Sequence, residues 1–172
     1  PESLALRLRA GAVQRDRLAD REAAVAAVEG VLADHPDNVD ALTSLDRLYG
    51  DMARWNDQVR ILRAQFDAVP EADAKIGLLL RLGDVCETRL GSTKEALEAR
   101  AEVLYLQPAH PQAVAELRRM FDEGKHRERI LEMIEPIYQD TGAHADLATV
   151  YESSLTAIED PDRRKDTLLK LA

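Results

Sequence analysis

The chain has 172 residues, 45% apolar, 32% charged and 4% aromatic, a balance that suits a folded, helix-rich domain and excludes a disordered tail. Its 32 acidic against 23 basic residues leave a formal charge of −9, which repels phosphate backbones and argues against nucleic acid as a partner. No apolar run approaches the roughly 20 residues of a membrane helix, the opening PESLALRLRAGAV has no signal-peptide pattern, and the one cysteine, Cys86, cannot form an internal disulfide. A soluble, cytoplasmic protein without membrane insertion is the expectation.

Alanine, leucine, arginine and glutamate fill nearly every segment, and apolar residues recur three and four apart, so the sequence predicts about ten helices. The first two span 4–18 and 21–34. Asp37, after Pro36, is the expected cap of the third, 38–50, and Gly50 its end. The fourth covers 55–68. The fifth, 73–90, carries Ile76, Leu79, Leu80, Gly83, Cys86 and Leu90 along one stripe and stops at Gly91. Ser92 and Glu95 form an S-x-x-E capping box at the head of the sixth, 93–106. His110 before Pro111 opens the seventh, 111–122, which Gly124 closes. The eighth, 127–140, contains Pro136, whose missing N–H implies a bend near Glu132 to Glu135. Gly142 precedes the ninth, 144–158, and Asp160 before Pro161 opens the tenth, from 162 onward.

The chain also repeats itself. Under the shift that lays Arg9 on Arg81, the residues Gly11, Val13, Arg17, Leu18, Ala24, Ala27, Val31, Leu32 and Pro36 also fall on identical residues without a gap. Beyond them Ala41, Leu45 and Arg47 meet Ala113, Leu117 and Arg119. Leu48, Tyr49, Val59, Leu62 and Phe66 meet Met120, Phe121, Leu131, Ile134 and Tyr138, keeping shape where identity is lost. Within each long unit a finer spacing, alternating between about 34 and about 38 residues, separates Pro36, Pro70, Pro108 and Gly142. Each long unit is therefore a pair of helical hairpins. The register breaks once, because the leucines of AKIGLLLRLG (74–83) recur out of step in RKDTLLKLA (164–172), where Leu79, Leu80 and Leu82 return as Leu168, Leu169 and Leu171. Residues 127–140 accordingly fit the fourth repeat by register and a fifth by pattern.

Leu82, Gly83, Gly91, Ala96 and Pro108 in one hairpin, and Leu42, Leu45, Tyr49, Val59, Leu62 and Pro70 in the other, resemble the tetratricopeptide repeat family. That resemblance covers nearly the whole chain and implies an all-α, right-handed α-solenoid of antiparallel helix hairpins over residues 1–172. The repeats depart from the family in carrying Asp46 where a small residue is preferred and Cys86 at the aromatic position.

Little in the sequence carries chemistry. A reactive thiol needs a cation, a helix N-terminus or a histidine beside it, whereas Cys86 sits well inside its helix among Leu79, Leu82, Gly83 and Leu90, so it reads as a core filler. His35, His110, His126 and His144 lie at separate helix junctions without a second ligand at i+3 or i+4, which argues against a metal. Phosphate-binding loops, dinucleotide fingerprints and nucleophile elbows do not occur. Acid pairs such as Glu98 and Glu102 read as solvated helix faces. The expectation is no enzyme, no cofactor and no metal.

In the resembling family the first helix of each hairpin lines a concave face that binds proteins or peptides, and a scaffold of that kind is the expected function. The competing reading is a repeat segment that positions the catalytic domain of a larger enzyme or signalling protein. The family's carboxylate clamp does not transfer, because the matching inner positions are Leu8, Ala12, Thr43, Arg47, Leu80 and Asp84. Instead Arg9 with Arg81 and Arg47 with Arg119 recur in register on first helices. Together with Asp84 they are the candidate partner-binding residues, the arginines forming a basic track for an acidic protein or peptide. Against that track stands the option that the arginines pair with acids of neighbouring repeats, such as Asp46 or Glu116. The chain lacks a polar capping helix at either end, so it reads as an excerpt of a longer array, with self-association through uncapped ends as a further expectation.

Overall fold

The computed structural model describes residues 6, 9, 21–155 and 160–171. The helix expected over 4–18 and the last residues of the one expected to reach 158 fall outside the described residues, apart from Leu6 and Arg9, both helical and exposed. The described residues form α-helices and no strand. They are α1 (Arg21–Asp34), α2 (Val39–Asp51), α3 (Trp55–Ala68), α4 (Ala72–Thr88), α5 (Thr93–Leu106), α6 (Pro111–Asp122), α7 (Arg127–Thr141), α8 (His144–Leu155) and α9 (Pro161–Leu171). The fold is all-α, built of successive helices joined by short connections.

The chain divides into two compact units, Pro1–Ala99 and Arg100–Ala172. In the first, α1 to α4 pack in chain order, and Ala24, Val25, Val28 and Val31 of α1 meet Ala41, Leu42, Leu45, Leu48 and Tyr49 of α2 and Ile61 of α3 in one core. In the second, α6 to α9 pack in the same serial manner. There Leu117, Met120 and Phe121 of α6, Ile130 and Ile134 of α7, and Val150 of α8 are fully buried. The long repeat is physical, since helices begin at matched positions: Arg21 of α1 corresponds to Thr93 of α5, Val39 of α2 to Pro111 of α6, and Trp55 of α3 to Arg127 of α7. Paired residues share their fate: Ala24 and Ala96, Val31 and Val103, Leu45 and Leu117, and Tyr49 and Phe121 are all buried. Burial of each such leucine or phenylalanine contributes about 1.5–3 kcal/mol, so a repeat that keeps these sites keeps its driving force while its surface drifts.

Local chemistry sets the boundaries, with three corrections to the expected caps. Asn38, not Asp37, caps α2, its Oδ1 accepting from the Ala41 amide at 2.8 Å. Gly50 lies inside α2 instead of ending it. A Cβ there would stand 3.0 Å from Gln58 Nε2, so the glycine admits that side chain. The box at Ser92 is not closed reciprocally: the Ser92 amide donates to the Cys86 carbonyl at 2.8 Å, and the Glu95 carboxylate receives the Cys86 thiol instead. The other marks hold. Gly91, Gly124 and Gly142 adopt positive φ at helix ends, His110 Nδ1 accepts from the Ala113 amide, and Asp160 Oδ1 accepts from the Asp162 amide. Helix α7 continues unbroken through Pro136.

Candidate interaction surface

Because α3 returns the chain, α2 and α4 run in the same direction, and in the family's scheme both are first helices. Their apolar stripes are spent on the core: Leu42, Leu45 and Leu48 on α2, and Ile76, Leu79, Leu82 and Cys86 on α4, are buried. What α2 leaves outside includes Thr43 and Arg47, and α4 leaves Ala74, Gly77, Arg81 and Asp84. Leu80, expected on the inner face, is half-buried.

A buried carboxylate ties the two helices together. Asp46 is 1% exposed. Gln58 Nε2 of α3 donates to its Oδ1 at 2.9 Å, and the Arg81 guanidinium of α4 donates to its Oδ2. A buried carboxylate left unpaired would cost several kcal/mol, so the two donors account for an acid where the resembling family prefers a small side chain. Arg81 keeps about half of its side chain exposed, at 48%. The other Gln58 atom, Oε1, is buried without a partner among the described residues, as is Gln65 Nε2 further along α3.

In the second unit an arginine stands where the first has the aspartate, and its partner across the helices is a backbone carbonyl. Arg118 of α6 is the counterpart of Asp46 in the long repeat; it bonds Asp122 in its own helix and donates to the Asp146 carbonyl of α8 at 3.2 Å. Its neighbour Arg119 binds Glu116 at 2.9 Å and Glu123 at 2.7 Å. Lys125 and Arg119 hold the Glu123 carboxyl below the usual carboxylate range. Glu116 also receives Arg100 of α5, whose side chain is 2% exposed and whose Nη1 lies 2.9 Å from Met120 Sδ.

The five candidate partner-binding residues thus separate. Arg81 is joined to Asp46, and Arg119 to Glu116 and Glu123. Arg47 is exposed and pairs with no described acid. Asp84 and Arg9 are exposed. Leu8 and Ala12, the other inner positions, lie outside the described residues. Sequence reasoning missed Gln58 and Arg100, although a signal existed. Their partners in the long register are Ile130 and Val28, both fully or almost fully buried.

The remaining polar groups serve the scaffold. The Cys86 thiol is 1% exposed and donates toward Glu95 Oε2 at 3.5 Å, an anionic neighbour and so the opposite of the cation that makes a thiolate nucleophilic. We expect an aromatic disulfide reagent to label Cys86 slowly in the folded chain and at once after denaturation. Fast native labelling would show a reactive thiol. Tyr49, fully buried, donates to Glu29 Oε1 at 2.5 Å, and burial followed by that acidic partner pushes its hydroxyl up to about 12. Tyr151 is raised in the same way, by burial and then by Glu135. Among the described residues no group of three or more His, Cys, Asp or Glu side chains could hold a metal ion, and no helix is long and apolar enough to cross a membrane.

No family model matches the chain, and no curated protein matches it. Among solved structures it is similar to the crystal structure of MamA, at 22% sequence identity and a TM-score of 0.49, over 94% of this chain and 90% of that one.

Proposed function

We propose that this chain is a non-catalytic scaffold that binds a partner protein or peptide on the face formed by its first helices, which in the first unit are α2 and α4. One observation carries the reading. Helices α2 and α4 bury most of their apolar residues, yet expose a mixed set of small, basic and acidic side chains, Thr43, Arg47, Gly77, Arg81 and Asp84, next to a buried carboxylate that joins the two helices. A surface with varied side-chain chemistry suits recognition. Cys86 and the junction histidines offer no nucleophile or base on that face. Of the arginine track, Arg47 is the member with charge to spare, whereas Arg119 belongs to the ion-pair network of α6.

A photo-reactive amino acid placed at Thr43 or at Asp84 should cross-link the same partner from a lysate of the source cells. The same group at Asp67, exposed on α3, should not. Arg47→Glu should keep the helical circular-dichroism spectrum and abolish the cross-link. Equal labelling from all three sites, or labelling indifferent to Arg47→Glu, would refute the assignment of the face.

A further inference from the structure

The buried stripe of α3 is polar at both ends. Gln58 and Gln65, two turns apart, are 3% and 5% exposed, with the buried Ile61 and Leu62 between them. Gln58 Oε1 and Gln65 Nε2 are enclosed and find no partner among the described residues. The repeat itself does not require them. At the matched sites of the second unit stand Ile130, fully buried, and Ile137, half-buried, where α7 packs between α6 and α8 as α3 packs between α2 and α4.

A polar atom enclosed without a partner gives up its hydrogen bond to water and gains none in return. That loss is recovered as soon as water reaches it, so each glutamine narrows the free-energy gap between the closed junction and an opened one. The apolar stripe of α4 is fastened there by one ion pair. Asp46 of α2, buried, receives Gln58 of α3 and Arg81 of α4, whereas Arg81 is half-exposed. In an opened junction Asp46 is hydrated and needs neither donor, so the pair parts without leaving a buried charge behind.

We propose that this junction is a built opening point: α4 separates from α2 and α3 as a local event in the folded chain, wetting Asp46, Gln58 and Gln65 together. Helix α1 stays on α2, because that contact is wholly apolar, with Ala24, Val25, Val28 and Val31 against Ala41, Leu42 and Leu45. The separation between Thr43 and Arg47 on α2 and Arg81 and Asp84 on α4 is therefore adjustable. This motion stands or falls independently of what binds there.

Native-state hydrogen exchange of the whole chain, read by NMR at low urea concentrations, tests the opening. Amides of α3 and α4 should exchange through an event with a shallower urea dependence than that of α1. Gln65→Ile, which installs the second unit's residue, should slow exchange in α3 and α4 about tenfold or more and leave α7 and α8 unchanged, and the unbranched Gln65→Met should do the same. Arg81→Met, which leaves Asp46 to Gln58 alone, should speed exchange in α4 at least about tenfold, and adding Asp46→Leu should bring it back. One urea dependence shared by α1, α3 and α4 would mean that the unit opens only as a whole, and would overturn the proposal. Exchange unchanged or faster after both Gln65 substitutions would mean that the amide is already satisfied, by an enclosed water, and would overturn it equally. Exchange in α4 indifferent to Arg81→Met would remove the ion pair from the device.

Discussion

Leu45→Ala is expected to destabilise the first unit by about 3–4 kcal/mol, the cost of a fully buried leucine exchanged for a cavity, and to leave the second unit's amide protection in place. For a unit of this size each kcal/mol moves the unfolding midpoint by about 4–8 °C, so the transition of the first unit should drop by well over about 10 °C. The confinement follows from serial packing, because in a helical repeat each helix rests on its neighbours in the chain and a weakened hairpin unfolds locally. Hydrogen exchange should accordingly accelerate in α1 to α3 and remain slow in α7 and α8. Leu117→Ala, at the matching buried site of the second unit, should give the converse pattern. Uniform acceleration throughout the chain after either substitution would show a single cooperative core instead.

The second large effect is asymmetric. Glu116→Ala should cost about 2–4 kcal/mol, whereas Arg100→Met should cost less than about 1 kcal/mol. Arg100 is almost wholly buried, while Glu116 is partly exposed and keeps Arg119 as a second partner. Removing the acid takes an ionic partner from a buried guanidinium beside Met120. Removing the arginine strands nothing, and methionine fills much of its volume. Urea titration of the two variants decides the matter, and equal losses would mean that the ion pair stabilises the unit in its own right.

Most helix boundaries were legible because they rest on signals that act within a few residues: leucine spacing, glycines at positive φ, and His110 and Asp160 beside their prolines. Two of the three misplaced details depend on a second helix. Asp37 and Asn38 are equally good caps by residue type, and the Ala41 amide three residues on donates to Asn38. Gly50 reads as a helix end until Gln58 arrives from α3 to occupy the space it leaves. The capping box at Ser92 was legible, yet Cys86 supplies both partners, its carbonyl taking the Ser92 amide and its thiol pointing to Glu95. On the candidate surface the exposure of Arg47 and Asp84 could be anticipated from periodicity, and Asp46 was recognisable as a possible partner for an arginine. Which arginine reaches it could not be read from spacing, because the stretch between Asp46 and Arg81 includes a complete intervening helix. Arg100 was the hardest to see. Its long aliphatic stem lets a charged residue replace Val28 of the earlier repeat at a buried site, and composition alone counts it as surface.

The exchange of sign between Asp46 and Arg118 bears on how such a chain avoids misassembling. Hairpins of like shape can dock on the wrong neighbour, during synthesis or between molecules, since their apolar faces are nearly interchangeable. Here they are keyed. Were α6 to settle against α4 in place of α2, Arg118 would confront Arg81 and two cations would be pressed together at a site built for one. Were α2 to settle against α8 in place of α6, the Asp46 carboxylate would meet the Asp146 carbonyl, acceptor against acceptor. Each of these two wrong pairings forfeits a hydrogen bond and sets like groups together, so polarity adds to fit in holding α2 and α6 to their places in the order.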